Sequence, residues 1–103
     1  MARKYFRISE VISVCSVSED FVRGLEHEKL ITSITRKNEK VYSLDQVDRI
    51  RVAHSLIDEL GVNLEGVEVA LHMREQIVQM RRRMEELLNR FEARLRNDRR
   101  RQR

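Results

Sequence analysis

The residues of this 103-residue chain best suited to chemistry are cations and a hydroxyl rather than nucleophiles. Ser18, Arg23, Lys29, Arg36, Lys37 and Lys40 lie in one stretch, and Arg, Lys and Ser side chains are those that meet phosphate oxygens. The expected chemistry is therefore contact with double-stranded DNA. Catalysis has no comparable set of residues. Cys15 is the single cysteine, has no partner for an internal disulfide, and reads as a small core residue. His27, His54 and His72 fall in three separate helical patterns without metal-ligand spacing. No Ser/His/Asp constellation or phosphate loop is present. We read the chain as a binding protein and not an enzyme, with no cofactor and no metal.

The elements that must position these cations centre on Ile8 to Ile31, ISEVISVCSVSEDFVRGLEHEKLI. Two short helical patterns meet across Cys15-Ser16-Val17, too short for anything but a turn. Ser9 can cap the first helix. Ser18 can cap the second, with Glu19 and Asp20 in its first turn, where the helix dipole favours acids. Val17, Phe21, Val22 and Leu25 are spaced to fill the angle between the helices. This is a helix-turn-helix plan, whose second helix is suited to a major groove. Tyr5 or Phe6 begins the packing, after a frayed Met1 to Lys4, and Leu30 and Ile31 tuck beneath.

Thr32 to Thr35 and Val41-Tyr42 are β-prone, with Lys37-Asn38-Glu39 as the turn between them. Such a hairpin is a wing, with Arg36, Lys37 and Lys40 at or near its tip. Ser43 and Gln46 make a capping box for a helix carrying Leu44, Val47, Ile50, Val52, Ala53, Leu56, Ile57 and Leu60. Gly61 ends it, and Asn63 can cap a last helix that runs towards the C-terminus. On that helix Met73, Ile77, Met80, Met84, Leu87 and Phe91 alternate at spacings of four and three. This heptad seam, flanked by Arg81, Arg82, Arg83, Glu85, Glu86 and Arg90, predicts a coiled coil and a homodimer.

Charge narrows the partners. The net +4 is unevenly spread: residues 1–40 carry +2, residues 41–95 carry −2, and the last eight carry +4. A folded DNA-binding face is compatible with this balance but not demanded by it. Charged residues make up 37% of the chain, with three glycines and no proline, which favours helices with solvated faces. No apolar run is long enough to span a membrane, and MARKYFR lacks an apolar signal region. The expected location is the cytoplasm.

The order of elements, and several motifs, resemble the MerR family of bacterial regulators. The match runs through Ile8-Ser9-Glu10-Val11, Val17-Ser18, and Arg23-Gly24-Leu25-Glu26 to Leu30-Ile31. It resumes at Val41-Tyr42-Ser43-Leu44-Asp45-Gln46-Val47 and at Leu60-Gly61-Val62-Asn63-Leu64-Glu65-Gly66-Val67, covering most of residues 6–72. The resemblance implies a dimeric DNA-binding regulator. Gly24 and Leu25 stand where the family carries two tyrosines, and the wing is shorter and lacks its usual glycine. The size is similar to two small branches, a heat-shock repressor that binds DNA and a chaperone modulator that binds the J-domain of a DnaJ-like co-chaperone. The segment from Val67 to Met73 looks especially like the modulator. J-domains present a basic helix, so Asp58, Glu59, Glu65, Glu68 and Glu75 are the candidate contacts for that partner.

The sequence thus predicts a mostly α protein: a winged helix-turn-helix with a short β-hairpin wing and a long C-terminal coiled-coil helix. Residues 5–72 are expected to form the winged domain, 73–97 the dimerisation helix, and 98–103 a basic disordered tail. The expected function is transcriptional regulation by a DNA-bound dimer reading a two-fold-related site. The alternative is the J-domain adaptor.

Overall fold

The computed structural model describes residues 4–101. Met1 to Arg3 of the expected frayed start, and the last two residues of the expected tail, lie outside them. The elements in order are β1 (Tyr5–Arg7), α1 (Ile8–Cys15), α2 (Glu19–His27), β2 (Ile34–Arg36), β3 (Glu39–Ser43) and α3 (Leu44–His54). A π-helical turn (Ser55–Glu59) and α4 (Leu64–Arg101) complete the chain. Two compact units form, the first ending at Leu71 and the second starting at His72. The mostly helical winged helix-turn-helix architecture is as the sequence predicts.

In the first unit α1 and α2 are joined across Ser16, whose left-handed φ of 55° makes the sharp turn. Ser18 caps α2, its hydroxyl accepting from the Phe21 amide at 3.1 Å. Ser9 does not cap α1. The helix starts two residues earlier than a Ser9 cap would place it, with Arg7 at the cap position, and the Glu10 carboxylate accepts from the Arg7 amide at 3.1 Å. The α2 helix ends in a Schellman motif, in which the Leu30 and Lys29 amides donate to the Leu25 and Glu26 carbonyls. Lys29 occupies the left-handed position there, with φ 61°. Inside α2, Gly24 costs about 1 kcal/mol relative to alanine, although a Cβ added there would meet nothing within 4 Å.

The sheet has one strand more than the sequence suggests. Tyr5–Arg7 pairs antiparallel with β3, placing Phe6 opposite Tyr42, so the strand order is β1-β3-β2. Three residues are too few to show an alternation, which is why β1 was not legible. The first wing strand starts at Ile34 rather than Thr32, because the Thr32 amide donates to Gln46 Oε1 at 2.9 Å and is tied to α3 instead. That bond also takes the side chain expected to complete the capping box; Ser43 Oγ alone caps α3, accepting from Gln46 N at 3.4 Å. Lys37 and Asn38, both left-handed, form a two-residue turn of type I′, which matches strand twist.

The helix expected from Leu44 to Leu60 loses its regular pitch after His54. The π-helical turn allows Leu56 and Ile57 both to pack on the core. Leu44 and Leu60, expected in the apolar stripe, are 53% and 71% exposed instead. Gly61 ends the segment with φ 66°, and Asn63 Oδ1 caps α4 by accepting from Gly66 N. Gly66 is fixed by space: a Cβ would sit 2.6 Å from Val62 Cγ1. The core joins Val11, Val22, Leu25, Ile31, Ile50, Val67 and Leu71, all nearly or wholly buried.

In the second unit α4 continues helical to Arg101, through most of the segment expected to be disordered. The six seam residues are each 50–66% exposed in the single chain. The core analysis predicts that Ile50→Ala lowers unfolding free energy by about 2–5 kcal/mol. Leu44→Ala should change it by about 0.5 kcal/mol or less. Urea unfolding of both variants checks the contrast.

Candidate nucleic-acid interface

The exposed flank of α2 and the adjoining wing carry the sequence-predicted cations, but few of those cations stand unengaged. Arg23 Nη2 lies 2.8 Å from Glu19 Oε1, one helical turn earlier, and both side chains are exposed. Lys40 Nζ lies 3.0 Å from Glu26 Oε2. The Arg36 guanidinium sits 4.0 Å over the Tyr5 ring, a cation–π contact across the sheet. Ser18 spends its hydroxyl on the cap. Lys37 projects from the wing turn, and Lys29 ends α2; both are exposed.

The structure brings some of these together and separates others. Arg23 and Lys40 line one depression of about 320 Å³, with Glu19, Ile8 and Tyr42. Lys29 does not line it. Of the acids proposed for a protein partner, Glu65 and Glu68 join Glu28, Leu30 and Leu64 around a second depression of about 210 Å³. Asp58 lines a third with Ser16, Ser18, Phe21 and His54. Glu59 and Glu75 line none of these and are exposed.

Sequence reading missed the group that organises the face. Glu26 accepts from Tyr42 Oη at 2.5 Å, from Ser33 Oγ at 3.2 Å, and from Lys40 Nζ. One carboxylate on α2 thus holds the strand and loop that carry the wing. Burial acts to raise its pKa, but the hydrogen bonds from Tyr42 and Lys40, the Lys40 charge and the Ser33 bond outweigh it. The carboxyl sits below its ordinary range. The same contact and burial push the Tyr42 phenol well above its usual value, burial contributing most. These partners lie 7 to 16 residues from Glu26, and no local spacing announces them.

A second clamp holds the loop after α2. Arg49 donates from Nε and Nη2 to the Leu30 carbonyl at 3.0 and 2.7 Å. Cys15 is buried, its Sγ 3.8 Å from the Val47 carbonyl, and burial raises its thiol pKa, the opposite of activation. His54 packs edge-on against Phe21. Among the described residues no group of three or more His, Cys, Asp or Glu is placed to hold a metal ion. No described helix is long and apolar enough to cross a membrane.

A family model for the MerR HTH family of regulatory proteins matches residues 6–89, most of the chain. The chain belongs to the MerR family. Its helix-turn-helix, wing and following helices are the family's regulatory module, and the family is one of regulators rather than enzymes. A search of curated proteins gives no match to the chain. In this MerR-family chain the match extends past the winged unit into α4, as far as Asn89.

The Glu26 network sets a pH response. A depressed carboxyl pKa gives stability that is present above the unfolded pKa, about 4.3, and lost as pH falls through the folded value. Glu26→Gln is expected to lower stability at pH 7 by about 1–3 kcal/mol, because hydrogen bonds to a charged acceptor are lost. Its stability should also vary less than the parent's between about pH 5 and pH 3. Chemical unfolding across that range checks both.

Proposed function

We propose that this MerR-family chain is a DNA-binding transcriptional regulator that works in the cytoplasm as a homodimer. Residues 5–72 form the DNA-binding unit, with α2 in the major groove and the wing on the flanking backbone. The observation that carries this reading is the shared depression where Arg23 of α2 and Lys40 of the wing meet on an exposed face. Arg36 and Lys37 extend that face along the hairpin. Ser18 and Lys29 stand at the two ends of the helix, for phosphate contacts on either side. The exposed seam of Met73, Ile77, Met80, Met84, Leu87 and Phe91 supports pairing of residues 73–97 as a coiled coil. The apolar stripe has no cover within its own helix. Two subunits would then read a two-fold-related site. The basic residues beyond 97 add backbone attraction.

The chaperone-modulator reading has one observation in its favour: Glu65 and Glu68, with Glu28, crowd one small depression. A basic helix of a J-domain is the matching partner. Asp58, Glu59 and Glu75 would then extend the acidic surface.

Fluorescence anisotropy on DNA from upstream of the chain's own gene, against scrambled DNA at two salt concentrations, tests the leading reading. Arg23→Ala and Lys37→Ala should each weaken binding and lower the salt slope by about 1. Equal affinity of both variants and the parent would remove the docking model. If the J-domain is the partner, Glu65→Lys with Glu68→Lys should weaken that complex while DNA is not bound specifically by the parent.

A further inference from the structure

Of the three acids on α2, Glu26 is held by the wing, while Glu19 and Asp20 stand exposed in the first turn. Glu19 turns towards the wing and lines the depression shared by Arg23 and Lys40; Asp20 does not line it. The fold has little need of Glu19 there. The Ser18 hydroxyl already caps the helix, and Asp20 already puts a carboxylate at the positive end of the helix dipole. The pair of Glu19 with Arg23 is exposed on both sides, a contact worth about 0–1 kcal/mol to stability. On a face offered to phosphates this carboxylate is a loss, since it repels them and holds a cation that would attract them. Such a residue has a use if it meets something other than a phosphate.

Its position points to a base. In a helix that lies in the major groove, the N-terminal residues reach the base edges, and Glu19 is the first residue of α2. An ionised carboxylate only accepts hydrogen bonds. The major groove presents amino donors on cytosine N4 and adenine N6, and adenine sets its N7 acceptor beside the donor. That second acceptor repels a carboxylate, so cytosine is the better match. Arg23 takes Oε1 at 2.8 Å, which leaves Oε2 to accept from a base. The guanidinium has further N–H groups for a flanking phosphate, so it can hold the carboxylate in place and offset its charge. We propose that Glu19 reads cytosine in the major groove, one in each half-site, with Arg23 as its positioning residue on the backbone. This rests on the DNA-binding reading and gives it a base preference that phosphate contacts do not supply.

The test selects sites from randomised duplex DNA with the full chain and its variants, and thermal unfolding checks that each variant is folded. The parent should select cytosine about tenfold over other bases at one position of each half-site. Glutamine pairs its amide with adenine N6 and N7, so Glu19→Gln should change that position from cytosine to adenine and leave the rest of the site as it was. Glu19→Ala should reduce the preference there to about twofold or less. Asp20→Asn loses the same charge one residue on and should keep cytosine. Arg23→Ala should weaken binding and also blunt the preference for cytosine, a change that loss of a phosphate contact alone does not produce. A selected site that Glu19→Gln leaves unchanged at every position overturns the proposal while DNA binding stands. The same shift produced by Asp20→Asn overturns it too, because charge at the helix start would then set the preference. A parent that selects no sequence overturns the DNA-binding reading and this proposal with it.

Discussion

The Glu26 carboxylate is the interaction on which the joining of α2 to the wing depends. It stands on α2 and accepts from Tyr42 and Lys40 of β3 and from Ser33 in the loop between. A charged acceptor in a largely buried setting is costly unless it is satisfied, and here three donors satisfy it. The result is a fixed relation between α2 and the strand that carries the wing. The β1 strand adds to this from the other side of β3, and Arg36 stacked on Tyr5 ties the outer strand across the sheet. The wing is therefore braced at both its edges. Without that brace, a hairpin of three paired residues on β2 would be marginal in water.

That arrangement also shapes the electrostatics of the same surface. Glu26 spends the charge of Lys40, and Glu19 spends the charge of Arg23. The two cations that share a depression are each paired within the chain. Surface pairs of this kind are worth about 0–1 kcal/mol, so a phosphate can compete for either cation. Each exchange, however, leaves a carboxylate beside the phosphate, and Glu26 cannot turn away because Tyr42 and Ser33 hold it. The face is consequently weaker in non-specific attraction than its cation count suggests.

How much of this was legible follows from the range of each interaction. Caps and turns within a few residues were readable: Ser18, Gly61 and Asn63 do what their types and places imply. The seam on α4 is a period in the sequence, and its six residues are each 50–66% exposed in the single chain. Errors came where a distant partner claimed a side chain. Gln46 has the spacing of a capping box, but the Thr32 amide takes it. Ser9 has the right type for a cap, but β1 delivers Arg7 to that place and Glu10 serves its amide. Leu44 and Leu60 fit a helical stripe, but Leu44 is the first residue of α3 and Leu60 follows the π-helical turn, which shifts the phase. The pairing of Arg23 with Glu19, one turn apart, is legible in the spacing, whereas that of Lys40 is not, since Glu26 meets Lys40 and Tyr42 only through the fold.

Family membership sets the architecture, and the side chains on it set the function. Gly24 and Leu25 illustrate the difference. Gly24 offers bare backbone and Leu25 is buried, and both lie on the wall of a largely apolar groove. A helix interior tolerates glycine at a loss in stability, and nothing nearby is relieved by it. On this argument α2 is a two-sided element: a polar flank with paired cations beside the wing, and an apolar flank that ends in Glu28, Glu65 and Glu68. Because both flanks belong to one helix, and Glu26 ties that helix to β3, the polar and the apolar flank keep a fixed relation to each other.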